Sequence, residues 1–342
     1  MSEKSANKSA KIEDVAKAAN VSIMSVSRAM RGVEGISQSK RKEILKLARK
    51  MGYYPNKVAV SLAASSSNLI GVSVPTLFGT VFSEIYDGMR SRFEKAGFAT
   101  IIDISDYSKS HEEAWVERMI SWQPAGIVLS GVDHSARTRD ELRRAKIPVL
   151  EIWDHTQDPI DLCVGIDHVA SGMQMGQHLV KLGYKNPAYI GIESGRDIRA
   201  DRRLMGLQES FSQAGLEFCA FDRISNTASF ETGFKAVSRV LRNGNDAPDV
   251  MCFLHDNMAF GGLMYCEQNG IDCPENIGIV GYNGLGINEV LKRRITTSIT
   301  PRFSMGEHGA SLLTAKILGA NTKNPHPETV IIDPGQTTRH LI

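Results

Sequence analysis

The stretch SGRDIRADRRLMG places Arg196, Arg199, Arg202 and Arg203 close together, just past the apolar run PAYIGI (187–192). Guanidinium groups present forked N–H donors that match a carboxylate, so this spacing suits capture of an anion. Asp197 and Asp201 must neutralise some of these charges, which leaves either Arg199 or Arg203 to meet a ligand. Other polar and aromatic residues fall just after short apolar runs in the same way. Thr76, Phe78, Thr80 and Phe82 follow LIGVSV (69–74), and Ser130 and His134 follow AGIVLS (125–130). Trp153 and Asp154 close PVLEIW (148–153), His255 and Asp256 follow DVMCFL (249–254), and Asn283 follows IGIVGY (277–282). The aromatics either stack on a sugar face or belong to the core.

This chemistry is recognition rather than catalysis. GIVGYNGLG is glycine-rich but lacks the GxGxxG spacing of a dinucleotide site, and GxSxG, Walker A and HExxH are absent. His111-Glu112-Glu113 reads as an exposed helix start. The five cysteines form no CxxC pair, so neither a zinc site nor a disulfide framework is expected. No cofactor or metal is expected. Cys163 and Cys252 lie in apolar runs and read as small buried hydrophobes.

A second constellation lies in residues 12–31, IEDVAKAANVSIMSVSRAMR. Ile12, Val15, Ala16 and Ala19 recur at helical spacing, and Asn20 tolerates the left-handed conformation that ends a helix. Ser22 is a good N-cap for a second helix over 22–30 that buries Val26 and Ala29. Ile23, Met24, Ser25, Ser27 and Arg28 are left partly outward. Two short helices joined this way suit the major groove, with the N-terminal half of the second helix entering it. Charge agrees: residues 1–62 carry 13 Lys+Arg against 5 Asp+Glu, while the whole chain carries 40 against 38. A basic module is joined to a mildly acidic body, and basic faces attract phosphate.

The elements that position these groups follow from periodicity. A third helix is expected over 39–51, ended by Gly52 and Tyr53-Tyr54-Pro55-Asn56. A short helix-capable segment (57–64) and a Ser/Asn linker (65–68) come next. From Leu69 onward, short apolar runs alternate with helical periods, the pattern of a parallel sheet with crossover helices. The alternation runs twice, which predicts two Rossmann-like subdomains with a cleft between them. Ligands of such sheets bind at the C-terminal strand ends. The expected subdomains are 69–165 with 295–302, and 166–294 with 303–342. A length of 342 residues fits two or three domains. No apolar run approaches a membrane span, and the polar start MSEKSANKSAK reads as a disordered arm (1–10) with no secretory signal, which leads to a cytoplasmic expectation.

From DVAKAANVS through VSRAMRG to MGYYPNKVAVSLA, the chain resembles the DNA-binding head and hinge of the lactose-repressor (LacI/GalR) family. LIGVSVP, VGIDHVASG, LVKLGYKNPAYIG, FLHDNMAFGG, IGIVGYN and ITTSITPR extend the resemblance over nearly the whole chain. Within the family, VFSEIYDGM, SWQPAGIVL, PVLEIWD and TPRFSMGEHGA are similar to the branch that controls gluconate use. The resemblance implies an α/β chain: an all-α helix-turn-helix head (11–56), a hinge helix and linker (57–68), and a two-subdomain, periplasmic-binding-protein-like body (69–342). It implies a homodimer on a near-palindromic DNA operator, controlled by a small-molecule effector.

Residue by residue, Ile23, Met24 and Arg28 fall where family members touch base edges; Ser22 and Ser25 suit phosphate rather than base contacts, and Asn56 is a further expected DNA-binding residue. Leu62 matches a hinge leucine wedged into the minor groove, and Ala59 allows two hinge helices to approach. Arg203 matches the arginine of the family's RxxG stretch. His255 matches a polar ligand contact that precedes a structural Asp. Asn283 departs from the family's frequent Asp; losing an acid while keeping arginines fits a sugar acid as effector. A neutral sugar held by Asn283, Asp154 and Arg203 is the other reading, and a free-standing periplasmic-type sugar receptor is a third, opposed by the basic head.

Overall fold

The computed structural model describes residues 10–54, 67–77, 79–225, 228–243 and 247–340. Residues 1–9 of the expected arm, Asn56 at the end of the expected head, Ala59 and Leu62 of the expected hinge, and Phe78 lie outside the described residues. The chain divides into two units, Met1–Ser67 and Asn68–Ile342.

The first unit holds helices α1 (Ile12–Ala18), α2 (Ile23–Arg31) and α3 (Gln38–Lys50). Asn20 takes the left-handed conformation at φ 49° and turns the chain between α1 and α2. The Ser22 hydroxyl accepts from the Ser25 amide at 3.1 Å, which caps α2 as its sequence requires. Gly32, at φ 76°, ends it. Val15, Ala16, Val26, Ala29, Ile44 and Ala48 make the small core, with Val21 packed against it.

The second unit is α/β. Its first sheet has the order β2-β1-β3-β4-β5, with β1 (Leu69–Val74), β2 (Ala99–Ile104), β3 (Gly126–Ser130), β4 (Val149–Asp154) and β5 (Leu162–Ile166) all parallel. Helices α4 (Val81–Lys95), α5 (Lys109–Ser121) and α6 (Ala136–Ala145) cross over between these strands. The second sheet has the order β11-β10-β9-β8-β6-β7. It contains β6 (Pro187–Ile192), β7 (Ala220–Ile224), β8 (Val250–Phe253), β9 (Gly278–Asn283), β10 (Thr296–Ile299) and β11 (Ile331–Asp333). Only β11 runs antiparallel. The helices of this lobe are α7 (His168–Lys181), α8 (Ile198–Gln213), α9 (Phe230–Asn243) and α10 (Asp256–Gln268).

Two assignments differ from the sequence-based expectation. Strand β10 does not join the first lobe; it pairs with β9, Thr296 opposite Val280. Helix α11 (Arg302–Ile317), expected in the second lobe, packs on the first, where Met305, Ala310 and Leu313 share a core with Ile70, Met89 and Leu150. Small residues decide the matter. A Cβ on Gly88 of α4 would lie 2.2 Å from the Phe303 carbonyl oxygen, and one on Gly306 would lie 2.1 Å from that of Ile85. The two backbones approach as closely as glycine alone permits. The chain therefore crosses between lobes at 166–168, at 300–301 and again before β11. Strand β7 was not expected at all. It is an edge strand with alternating exposure, and its Asp222 and Arg223 obscure the apolar signal.

Cys163 and Cys252 are buried, as their apolar surroundings imply. Among the described residues, no helix is long and apolar enough to cross a membrane.

Candidate functional site

A cleft of about 770 Å³ opens between the lobes of the second unit. Strand ends build it: Thr76 follows β1, Trp153 closes β4, Ile192 closes β6, His255 follows β8 and Asn283 closes β9. This is where parallel α/β sheets present ligand-binding groups. Of the residues expected there, Thr80, Phe82, Trp153, Arg199, Arg203, His255 and Asn283 line the cleft together.

The four arginines separate by partner. Arg199 is buried and committed: its Nε donates to Asp197 Oδ1 at 3.1 Å, and its guanidinium lies 5.8 Å from the Phe82 ring centroid and 5.4 Å from that of Tyr107. Burial favours protonation of Asp197, but Arg199 and Arg203 more than offset it and bring the carboxyl down to about 2. Arg202 lies 3.7 Å from Asp154, and the exposed Arg196 donates to the Ser225 carbonyl. Arg203 differs from all three. It is 9 % exposed, its guanidinium sits 4.3 Å from the Tyr282 ring centroid, and it has no ion pair among the described residues. Its hydrogen bonds are long, 3.4 Å to the Leu254 carbonyl and 3.5 Å to His168 Nδ1. A buried cation that makes no ion pair, and whose hydrogen bonds are long and go to neutral acceptors, is ready for an anion.

Two neutral polar groups stand beside it. His255 caps α10, its Nδ1 accepting from the Met258 amide at 3.4 Å. Burial, aided by the charge of Arg203, lowers this imidazole to about 4, so it stays neutral near pH 7. Asn283 adopts φ 106°, a left-handed conformation costly for a residue with a side chain, and its Oδ1 is buried without a hydrogen-bond partner among the described residues. Trp153, at φ 86° on the opposite wall, is likewise strained and stacks edgewise on Phe82 at 6.1 Å.

Asp154 lies behind this wall rather than in it. It faces His168 Nε2 at 3.0 Å. Burial raises the Asp154 carboxyl, but the His168 hydrogen bond and the charges of Arg199 and Arg202 bring it below its ordinary value. Burial lowers His168, so the ring is neutral near pH 7, with Nε2 facing Asp154 and Nδ1 facing Arg203 as an acceptor. Asp154 thus ties the first lobe to α7 and α8 of the second and acts on the cleft only through them.

Ser130 and His134, also expected in the cleft, do not line it. The Ser130 hydroxyl donates to the Ser73 carbonyl at 3.1 Å. His134 is buried with Nδ1 2.7 Å from Glu112 Oε1 and Nε2 3.0 Å from the Gly131 carbonyl; Glu151 lies 3.6 Å away. Glu112 is therefore no exposed helix-start residue, although its neighbour His111 is exposed, beside Asp103. Acceptors on both ring nitrogens require two protons, so His134 is an imidazolium. Burial alone would lower it, but Glu112, Glu151 and the carbonyl raise it above the ordinary 6.5. The stability this provides is complete below about pH 6.5 and is lost as pH rises through the raised value. His134→Gln is expected to remove that alkaline decline, checked by urea unfolding between about pH 6 and pH 9.

Asp106, Tyr107, Asp197 and Asn257 line the cleft without having been singled out as ligand contacts. Asp106 and Tyr107 follow β2 with φ 48° and 58°. The strand-end rule that selected Trp153 would have found them. Asp256, next to His255, is structural: its carboxylate accepts from Thr297 Oγ1 at 2.6 Å and from the Leu285 amide at 2.8 Å.

In the first unit, Ile23 and Met24 are 48 % and 59 % exposed, and Ser22 and Arg28 are exposed beside them on α2, with Ser25 half-buried. Large exposed apolar residues on a capped helix, flanked by a serine and an arginine, form a surface that fits bases and their methyl groups.

Residues 11–56 match the family described as bacterial regulatory proteins, lacI family, and residues 67–340 match periplasmic binding proteins and sugar binding domain of LacI family. The chain is 30 % identical over 311 residues to the HTH-type transcriptional regulator GntR of Escherichia coli (strain K12), covering 90 % of this chain and 92 % of that protein. Among solved structures, a LacI-family transcriptional regulator from Silicibacter pomeroyi is 31 % identical with a TM-score of 0.91, covering 97 % of this chain and 100 % of that one. The lac repressor dimer bound to operator and the anti-inducer ONPF has a TM-score of 0.84 at 22 % identity, covering 97 % and 100 %, and shares the fold.

Proposed function

The chain belongs to the LacI family of bacterial regulators, DNA-binding transcription factors rather than enzymes, and we propose that it represses an operon for sugar-acid use and is released by that acid. The observation that carries the effector class is Arg203, a buried guanidinium at the cleft with no ion pair among the described residues. A carboxylate supplies two oxygens in the geometry of the guanidinium fork. Asn283 Oδ1 accepts a hydroxyl proton, neutral His255 adds a second polar contact, and Trp153 and Phe82 provide an apolar wall for the carbon chain. The similarity to a regulator named GntR supports the same class.

Operator binding is assigned to α2, with Ile23, Met24 and Arg28 on base edges, Ser22, Ser25 and Asn56 on the backbone, and Ala59 and Leu62 at the minor groove. Two chains read a near-palindromic site, since a twofold protein matches a twofold operator. Effector closes the cleft and shifts the lobes, changing operator affinity through a coupling free energy of about 1–3 kcal/mol. Calorimetric titration with D-gluconate, D-glucose and gluconate 6-phosphate tests the assignment. Binding of gluconate with little response to glucose is the expected result. Binding of glucose alone overturns the anionic reading in favour of a neutral sugar.

A further inference from the structure

Asn283 holds a backbone conformation that a side-chain-bearing residue keeps only where the surroundings over-determine it. The restraint is visible. Its carbonyl accepts from the Thr300 amide at 3.3 Å, from the Thr300 hydroxyl at 3.2 Å and from Arg302 Nη1. Arg302 is buried, and every arm of its guanidinium is used. Nη1 also donates to Thr300 Oγ1 at 2.8 Å, Nη2 donates to the Gly284 carbonyl at 3.1 Å, and Nε donates to Glu84 Oε2 at 2.7 Å. Glu84 lies on α4 of the first lobe, whereas Asn283 ends β9 of the second and Gly284 follows it. Arg302 itself stands at the 300–301 crossing and does not line the cleft.

We propose that Arg302 is a positioning residue for effector recognition: it clamps the strained end of β9 against Glu84 and thereby fixes the Asn283 side chain in the cleft. A lysine could not replace it, since one ammonium cannot meet Glu84, Thr300 and two carbonyls in a planar fork. The clamp also joins the lobes at the effector site, so occupancy of Asn283 is felt at α4. Where the clamp is read through effector affinity, it rests on the sugar-acid assignment above.

The primary test does not depend on the ligand. A crystal structure of ligand-free Arg302→Gln is expected to show residue 283 outside the positive-φ region, with its amide withdrawn from the cleft. Retention of the wild-type conformation overturns the proposal. The second test is a double-mutant cycle read by gluconate titration. Arg302→Gln alone should weaken binding about tenfold. Glycine adopts positive φ without help, so in Asn283→Gly the clamp has nothing left to hold. The double variant should then bind no more weakly than Asn283→Gly alone, and additive losses overturn the proposal. If Arg302→Gln does not fold, Glu84→Gln, a change at a part-exposed carboxylate, takes its place in both tests, with a smaller loss expected and an unaltered affinity overturning the clamp. If the wild type fails to bind gluconate, the effector assignment falls, and the crystal structure alone decides the clamp.

Discussion

Arg28→Ala should lower affinity for the wild-type protein's preferred operator by about thirtyfold or more while leaving binding to unrelated DNA nearly unchanged. The residue is exposed on α2, one turn beyond Met24, on the face that the core residues Val26 and Ala29 leave outward. Its side chain lies beside Gly35 but outside the apolar core of the unit, so the helix and its Ser22 cap survive truncation. A bidentate arginine–guanine pair discriminates by about 1–3 kcal/mol. In a twofold complex the pair is lost in both half-sites, so the cost doubles to about 2–6 kcal/mol. The preferred site is obtained by selection from random DNA, and affinities are measured by fluorescence anisotropy at fixed salt, because phosphate contacts make any other comparison meaningless. A uniform loss on all sequences, with a shallower salt dependence, would instead place Arg28 on a phosphate.

The head was the most legible part of the chain because its signals are local. A cap, a left-handed Asn and a helical apolar face lie within twenty residues, and Ser22, Asn20 and Val26 do in the structure what their types predict. The repeated strand–helix alternation gave the two sheets for the same reason. What failed depended on partners distant in sequence. Nothing in ITTSIT says which sheet edge receives it, since Thr296 and Thr297 are buried through hydrogen bonds to Pro334 and Asp256, not through an apolar face. The apolar face of α11 would suit either lobe, and Gly88 and Gly306 select the first. His134 looked like a cleft residue because it follows a strand end, yet the helix that places Glu112 against it turns it inward. The arginines were recognised as a group, but their division into three committed cations and one uncommitted cation depends on where Asp197, Asp154 and the Ser225 carbonyl come to rest.

That division gives Arg203→Met and Arg199→Met opposite signatures. Arg203→Met should weaken gluconate binding by about 30-fold or more, since truncating one partner of a buried charge pair costs about 2–5 kcal/mol. The ligand-free protein should lose much less stability than the Arg199 variant, because Arg203 makes no ion pair among the described residues and acts on Asp197 only through its charge, without the direct hydrogen bond that Arg199 supplies. Arg199→Met removes the partner of Asp197, whose carboxylate is held down to about 2 by Arg199 and Arg203. The stranded carboxylate must be partly neutralised or remain buried with weaker compensation. Breaking a buried pair from one side costs about 3–5 kcal/mol, so this variant should melt early in the absence of any ligand. The depressed carboxyl also fixes the pH dependence. In the wild type, the stability that Asp197 contributes is present above its ordinary 3.8 and is lost as pH falls through about 2. In Arg199→Met the loss should begin at higher pH. Thermal melts of both variants with and without gluconate, across acidic pH, separate the two roles. An Arg203 variant that melts early and still binds gluconate at wild-type strength would show that the uncommitted guanidinium serves the fold, and the anion would then have to be sought elsewhere in the cleft.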